Sequence, residues 1–442
     1  MSRNEDSRQL GFWMTWSIVV GTMIGSGIFL LPASLARFGP NSIAGWLVSG
    51  LGAISLAFAI GLLARAGGNG IQSYIEKAFG PFIAFLATFA FWISSWTALA
   101  AVSIAGAGAV GWLVPALGDN RAVALVAIAF LAVFQATNAL GARSTGRLAV
   151  VTAMLKILPL VAVIAVLAQL ELGGGGGGSS LFPLAPTPLN LDNIASASAL
   201  TLFALLGFEN AAAPVDKVRD PQRTIPRAMV GGAAFVAFLY LISSTAILLL
   251  LPVEVAAGSS SPFADAIGRG WGEFGAMFAA LGIAASAAGY VNANVLVCGE
   301  LGYSMALRRE FPAFFARTRS GKTPLNAQLL GTGLAAALIL ANMSKSTAEL
   351  FTFMALLTAC ATLWLYLASS LAALKQGPKG LTLVVVIAGL AFTIFAFYGS
   401  GGEANLWSLA LLALGAALYA IMRRTRGSSP AAAANPAAPA GS

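Results

Sequence analysis

Apolar blocks of about 20 residues recur along the whole of this 442-residue chain, and a block of that length crosses the hydrocarbon core of a bilayer as an α-helix. Hydrophobic residues make up 58% of the chain and charged residues only 9%. Soluble domains carry about a quarter charged residues. The sequence therefore predicts an all-α membrane protein and argues against a soluble enzyme.

Twelve apolar segments are predicted to be membrane-spanning helices. Their approximate cores are 11–36, 42–64, 82–114, 122–140, 147–170, 194–214, 228–251, 273–305, 324–342, 348–373, 380–398 and 404–423. Residues 1–10 form a cytoplasmic segment before one transporter domain at 11–426, and the Ala/Pro-rich end at 427–442 is predicted to be a disordered cytoplasmic tail.

The basic residues predict the orientation in the membrane. With the N-terminus in the cytoplasm, 20 of the 25 Lys and Arg residues fall on the inner side, whereas Arg37, Arg121, Arg269 and Lys345 fall outside and Lys156 lies within a span. Such a bias is typical of cytoplasmic loops and predicts both termini inside, in an inner (plasma) membrane. The net charge of +9 is thereby explained without nucleic acid as a partner.

Several familiar kinds of chemistry have no residues to support them. The chain has no histidine, and Cys298 and Cys360 lie in apolar stretches, so no cofactor or metal site is expected. The glycine run at 173–180 lacks the Lys-Ser/Thr of a phosphate-binding loop and is read as an outer linker. Residues 71–79 are amphipathic and predict a short interfacial helix on the inner side.

The first predicted span is interrupted at Gly25-Ser26-Gly27. Glycines allow close helix packing, and they also allow an unwound turn whose free amides bind a carboxylate. Both readings fit the sequence.

The sixth predicted span is interrupted by Gly207 and then by an acid, Glu209, within an apolar block. An intramembrane carboxylate is costly, so Glu209 is a functional candidate, with a polar staple between helices as the alternative. The two interruptions lie in the first helix of each five-helix half, which is the pattern of an inverted-repeat transporter.

Lys156 lies in the fifth span, several residues from either end of the apolar stretch. A lysine near a helix end commonly extends its ammonium to the interface. Farther inside, it is a candidate proton carrier or coupling group.

These motifs resemble the amino acid–polyamine–organocation superfamily, and most closely its basic amino acid/polyamine antiporters of the arginine–agmatine exchanger type. The resemblance covers about residues 10–425 and is carried by residues 21–49, 207–210, 220–228, 261–266 and 311–317. It implies a LeuT-like fold with a 5+5 inverted repeat and discontinuous helices 1 and 6. It also allows a homodimer and proton coupling.

Carried over by resemblance, a substrate carboxylate is expected at the first break and an ammonium at carbonyls of the second. Glu209 is expected to gate, and Lys156 to occupy a sodium-like position that links helix 1 to Ser286 of helix 8. The implied substrate-binding residues are Thr22, Gly25, Ser26, Gly27, Phe91, Ser94, Ser95, Leu99, Phe203, Ala204, Leu206 and Asn294.

The chain departs from the exchanger pattern at Leu99, where an asparagine is expected, and at Asn294, where a tryptophan is expected. Without a carboxylate facing the substrate side chain, a buried cation would be poorly compensated. The sequence therefore predicts a sodium-independent carrier of neutral amino acids, proton-coupled or exchanging. The alternative is a cationic amino acid/polyamine antiporter.

Other classes of membrane protein fit less well. A membrane enzyme for lipid or isoprenoid transfer would need a cluster of metal-binding carboxylates at the membrane surface, and a channel would need a selectivity ring. The two-half pattern favours a carrier that moves a small molecule across the lipid bilayer.

Overall fold

The computed structural model describes residues 11–25, 27–65, 70–139, 156–172, 181–212, 218–318 and 323–427. Within these ranges the chain is folded into α-helices joined by loops and short 3-10 turns. The helices are α1 (Phe12–Met23), α2 (Gly27–Leu35), α3 (Pro40–Arg65), α4 (Ile71–Phe79), α5 (Pro81–Leu113), α6 (Asn120–Ala139), α7 (Leu158–Leu172), α8 (Leu191–Leu205), α9 (Pro221–Leu250), α10 (Val253–Gly258), α11 (Pro262–Leu307), α12 (Leu325–Ala341), α13 (Thr347–Lys375), α14 (Leu381–Gly399) and α15 (Gly401–Gly427).

Among the described residues, nine helical segments are long and apolar enough to cross a membrane, and ten if α1 and α2 together form one broken span. The helices α7 and α12 are apolar but shorter. The predicted all-α membrane protein is thus confirmed. The predicted segments at 1–10 and 173–180 lie outside the described residues, as does the predicted tail at 427–442 apart from Gly427, which ends α15.

The helix α5 lies at the centre of the molecule and packs most extensively against α11 and α13. Small residues in its second half permit close approach. A Cβ added at Gly106 would come within 2.4 Å of the Ala287 side chain on α11, and one at Gly108 within 2.5 Å of the Ser260 carbonyl oxygen.

A second packed group consists of α3 with α8 and α9. Here Gly45 of α3 sits so close to α8 that an added Cβ would lie 2.6 Å from the Ala197 side chain. The helix α15 lies at the periphery of the helix bundle and is mostly exposed, as expected of a helix that faces lipid.

The helix α11 extends beyond its predicted span, whereas α4 matches its prediction. The prediction began the eighth span at residue 273, but α11 already starts at Pro262 and changes direction at Gly272, whose φ of 67° favours glycine. The predicted interfacial helix at residues 71–79 is present as α4. One face of α4 is buried at Tyr74 and Ile75, as its amphipathic pattern requires.

Candidate functional site

A cavity of about 390 Å³ lies between the broken helices in the middle of the bundle. That volume is in the range of small-molecule sites, which is about 300–1,000 Å³. Its walls come from the α1 and α8 breaks and from α5, α11 and α13. The predicted site residues that line it are Thr22, Gly25, Gly27, Phe91, Ser94, Ser95, Lys156, Phe203, Ala204, Leu206, Glu209 and Asn294.

The first break separates α1 from α2, whose axes are bent by 49°. After Met23 the backbone leaves the helix, and Gly25 donates to the Met23 carbonyl at 2.8 Å instead of continuing the helical pattern. The buried hydroxyl of Tyr240 on α9 donates to the same carbonyl at 3.1 Å. Ser26, the residue at the centre of the predicted turn, lies outside the described residues.

The second break follows α8 at Leu206-Gly207. Gly207 has a φ of 116°, which glycine adopts readily and other residues rarely do. An added Cβ there would lie 2.8 Å from the Thr22 carbonyl oxygen, and the Thr22 hydroxyl donates to the Gly207 carbonyl at 3.0 Å. The two breaks therefore pack directly against each other.

This arrangement brings helix ends of opposite polarity to one cavity. The first residues of α2, Gly27 and Ile28, line the cavity, and the first turn of a helix presents unpaired N–H groups and partial positive charge. The last turn of α8 presents its carbonyl end, with Phe203 and Ala204 lining the cavity, and the Leu206 N–H donates to the Phe203 carbonyl at 3.4 Å, which leaves that oxygen a second lone pair. A carboxylate is stabilised at the first end and an ammonium at the second.

Glu209 lies just beyond the second break and is only 4% exposed. Its two carboxylate oxygens accept from the Gly207 backbone N–H at 3.2 and 3.1 Å. The hydroxyl of Tyr366 on α13 donates to Oε2 at 2.9 Å. The ring of Tyr366 also stacks on Phe208, with centroids 5.4 Å apart. The carboxylate is thus held at the cavity wall by three hydrogen bonds from two donors.

Lys156 precedes α7 and is 8% exposed. Its ammonium donates to the Gly21 carbonyl near the end of α1, with Nζ and O 3.4 Å apart. Carbonyls in the last turn of a helix lack an intrahelical donor, so the ammonium satisfies one of them. It thereby places a positive charge in the same cavity as Glu209.

The wall formed by α5 and α13 carries buried hydroxyls whose protons are already engaged. Ser94 and Ser95 donate to the Phe91 carbonyl at 2.8 and 3.0 Å. Thr358 donates to the Met354 carbonyl at 2.7 Å, and Thr362 to the Thr358 carbonyl at 2.9 Å. What these oxygens can still offer a ligand is lone pairs, so this wall favours a ligand that donates hydrogen bonds.

Two predicted site residues do not line the cavity. Leu99 is fully buried in α5, one residue round the helix from Ala98, which does line it. Ser286 lies one helical turn from Gly289 on α11, and its buried hydroxyl has no hydrogen-bond partner among the described residues. Of the expected link between helix 1 and Ser286, the structure therefore has the contact of Lys156 with α1 but no hydrogen bond to Ser286.

Sequence reasoning missed four residues that line or brace the cavity, namely Tyr290, Thr358, Thr362 and Tyr366. Tyr290 on α11 covers Gly25, where an added Cβ would lie 3.1 Å from its ring. Thr362 is four residues after Thr358, so the two hydroxyls share one face of α13, a spacing that could have been read from the sequence. Tyr366 carries on that same face one turn further, where it meets Glu209.

At one end of the cavity, the lining residue Phe203 belongs to a packed group of aromatic and hydroxyl side chains. Phe203 packs edge-on against Phe351 of α13, with ring centroids 5.7 Å apart. Next to them, the hydroxyls of Ser34 on α2 and Thr352 on α13 are 2.7 Å apart. The lining of the cavity also includes Ser17 and Ile18, in the middle of α1.

Comparison with known proteins identifies the family of this chain. Residues 10–422 match the family model described as "Amino acid permease". The chain belongs to the amino acid permease family. The predicted superfamily resemblance is therefore confirmed, and the chain is an integral membrane transporter rather than an enzyme.

Three relatives align with this chain over most of their own length. The putrescine transporter PotE of Escherichia coli (strain K12) is 28% identical over 434 residues, covering 94% of this chain and 96% of the relative. A putative arginine/ornithine antiporter of Bacillus subtilis (strain 168) is 28% identical over 414 residues, 86% of each. The cadaverine/lysine antiporter of E. coli (strain K12) is 26% identical over 332 residues, 73% of this permease and 72% of the relative.

Proposed function

We propose that this permease is an antiporter of cationic amino acids and polyamines that works by alternating access. The observation that carries the proposal is the cavity itself, where two helix breaks of opposite polarity meet a buried carboxylate at Glu209. Such a site complements both an α-amino acid backbone and an additional ammonium. The relatives named for putrescine, arginine/ornithine and cadaverine/lysine support the same substrate class.

The neutral substrates expected from the sequence are not supported. That expectation assumed that no carboxylate faces the substrate, but Glu209 lines the cavity together with hydroxyls that can accept hydrogen bonds. A substrate ammonium can therefore be compensated without full exposure to water. The alternative stated with that expectation, a cationic amino acid/polyamine antiporter, fits better.

The proposed architecture has twelve spans in a LeuT-like 5+5 inverted repeat. In support of it, α1–α2 and α8 are the broken helices, and the shorter apolar helices α7 and α12 supply further candidate spans. With both termini in the cytoplasm, as the basic residues predict, the cavity opens towards the cytoplasm and Phe203, Phe351 and Ser34 close its outer side.

Counterflow in proteoliposomes tests the proposed function. Vesicles loaded with unlabelled putrescine, ornithine, lysine or arginine should accumulate labelled substrate of the same class, whereas vesicles loaded with alanine or leucine should not. Leucine counterflow as strong as that of lysine would overturn the proposed substrate class.

The Glu209→Gln variant tests the part of the carboxylate. It keeps the size of the side chain and removes the charge, so cation counterflow should fall and its pH profile should change. Glu300→Gln, which removes an exposed carboxylate of α11 outside the cavity, is the matched control and should keep the native profile.

A further inference from the structure

The side chain of Asn294 on α11 is oriented by a neighbouring helix. Its amide nitrogen Nδ2 lies 2.8 Å from the carbonyl oxygen of Ser95 on α5. A carbonyl can only accept a hydrogen bond, so the atom facing it must be the NH₂ group and not the amide oxygen. The hydrogen bond to Ser95 therefore leaves the amide oxygen, Oδ1, as the end of the side chain that can bind a ligand.

The remaining end of that amide is an acceptor at the cavity wall. Asn294 lines the cavity, and its Oδ1 accepts no hydrogen bond from the described residues. Beside it on α5, the hydroxyls of Ser94 and Ser95 already donate to the Phe91 carbonyl and keep only lone pairs for a ligand. Three oxygen acceptors thus belong to one stretch of wall, without a donor side chain among them.

We propose that Asn294 determines specificity for the far end of the substrate, by accepting a hydrogen bond from its terminal primary ammonium. This inference rests on the proposed cation antiport and assigns the site of the second charge. An ammonium has three donors and no acceptor, which matches an amide oxygen flanked by hydroxyl lone pairs. A neutral aliphatic side chain would leave these buried acceptors unsatisfied.

Pairs of compounds that differ only in the terminal ammonium measure this contact. Lysine is compared with norleucine, and putrescine with butylamine, as competitors of labelled lysine uptake into proteoliposomes. The native permease should favour the ammonium compound of each pair. The Asn294→Leu variant, of similar size, should reduce that preference at least about tenfold, the typical value of a hydrogen bond to a charged group.

A second variant separates binding from mere positioning of α11. Asn294→Asp cannot donate to Ser95, but it supplies an acceptor, so it should regain much of the preference that Asn294→Leu loses. Equal loss in both variants would mean that Asn294 only bridges two helices, and the inference would fall. Val297→Ala, which alters an apolar cavity residue one turn away, is the matched control and should change both members of a pair alike.

The two proposals fail in different ways. A native permease that does not distinguish lysine from norleucine contradicts cation antiport itself. A native permease that distinguishes them, and keeps its preference in the folded Asn294→Leu variant, contradicts only the assignment of Asn294. Retention of monodisperse protein in detergent shows that each variant is folded.

Discussion

At the scale of single residues, the site depends on glycines that leave no room for a side chain. A Cβ at Gly27 would lie 2.5 Å from Cε1 of Phe203, whose ring lines the cavity. Gly21 also lines the cavity, but an added Cβ there meets nothing within 4 Å. The sequence indicated that this stretch is special, but only the folded chain distinguishes the two glycines.

The Gly27→Ala substitution should therefore impair transport while Gly21→Ala is tolerated. Overpacking of this kind costs about 1–3 kcal/mol, and about 1.4 kcal/mol corresponds to tenfold in affinity. We expect Gly27→Ala to weaken substrate binding about tenfold or more and Gly21→Ala to leave it nearly native. Binding is measured by competition uptake on purified, reconstituted protein, and equal behaviour of the two variants would contradict the assignment.

Lys156 supplies a second prediction at this scale. Its ammonium already occupies the Gly21 carbonyl near the end of α1, and carbonyls at the ends of broken helices are the groups that coordinate sodium in sodium-coupled transporters. Transport by the native permease should therefore be the same in sodium and in choline buffers. Lys156→Met removes the charge, leaves that carbonyl without its donor and should abolish transport.

The matched control for Lys156→Met is Lys345→Met, which removes a half-buried lysine outside the central cavity. It should transport at a near-native rate. Strong stimulation of the native protein by sodium would show that the ammonium does not replace the ion.

At the scale of helices, the sequence predicted where elements lie better than what they contact. The amphipathic pattern located α4, yet its partners are distant in the chain: Glu76 pairs with Arg308, and Lys375 donates to the Ala78 carbonyl at 2.7 Å. On α5 the cavity face follows Phe91, Ser95, Ala98 and Val102. Leu99 falls off that face because one helical residue is a rotation of about 100°.

The contact between α4 and the end of α11 gives a pH-dependent prediction. Glu310 is 5% exposed and accepts from Arg308 at 3.4 Å and from Gln72 at 3.3 Å. Burial raises the pKa of Glu310, and Arg308 only partly opposes the rise. The folded state therefore favours the protonated form of Glu310. Because of this, the stability of the protein falls as the pH rises above the ordinary glutamate pKa of about 4.3 and through the raised pKa.

Glu310→Gln removes that titration and keeps the size of the side chain. The thermal midpoint of each protein is measured in detergent. The midpoint of the variant minus that of the native protein should increase as the pH rises from mildly acidic to neutral. Other groups titrate equally in both proteins, so the difference between the two midpoints reports Glu310. A difference that is constant with pH would mean that Glu310 does not titrate there.

At the scale of the whole molecule, composition predicted a membrane protein and the hydropathy pattern predicted most of its helices. The contacts that define the site join distant parts of the chain, and no local pattern contains them. Tyr366 meets Glu209 across 157 residues, and Thr22 meets Gly207 across 185. The proposed substrate class could not be predicted from a local pattern either, because it depends on whether Glu209 faces the cavity.

The orientation of the molecule is the last prediction. Both native cysteines, Cys298 and Cys360, are fully buried, so a membrane-impermeant maleimide should not label the native protein. A cysteine introduced at an exposed loop position then reports its own side of the membrane. Arg121 and Lys379 are exposed at opposite predicted faces, the first in the first turn of α6 and the second in the loop before α14.

Arg121→Cys should react on intact cells, and Lys379→Cys only after the membrane is permeabilised. Neither substitution removes the excess of Lys and Arg on the inner side that sets the orientation. Arg121→Cys removes an outer basic residue, and Lys379→Cys removes only one of the 20 inner ones. Labelling of Lys379→Cys on intact cells, with Arg121→Cys protected, would place the termini outside. The cavity described above would then open to the exterior, and Phe203 and Phe351 would close its cytoplasmic side.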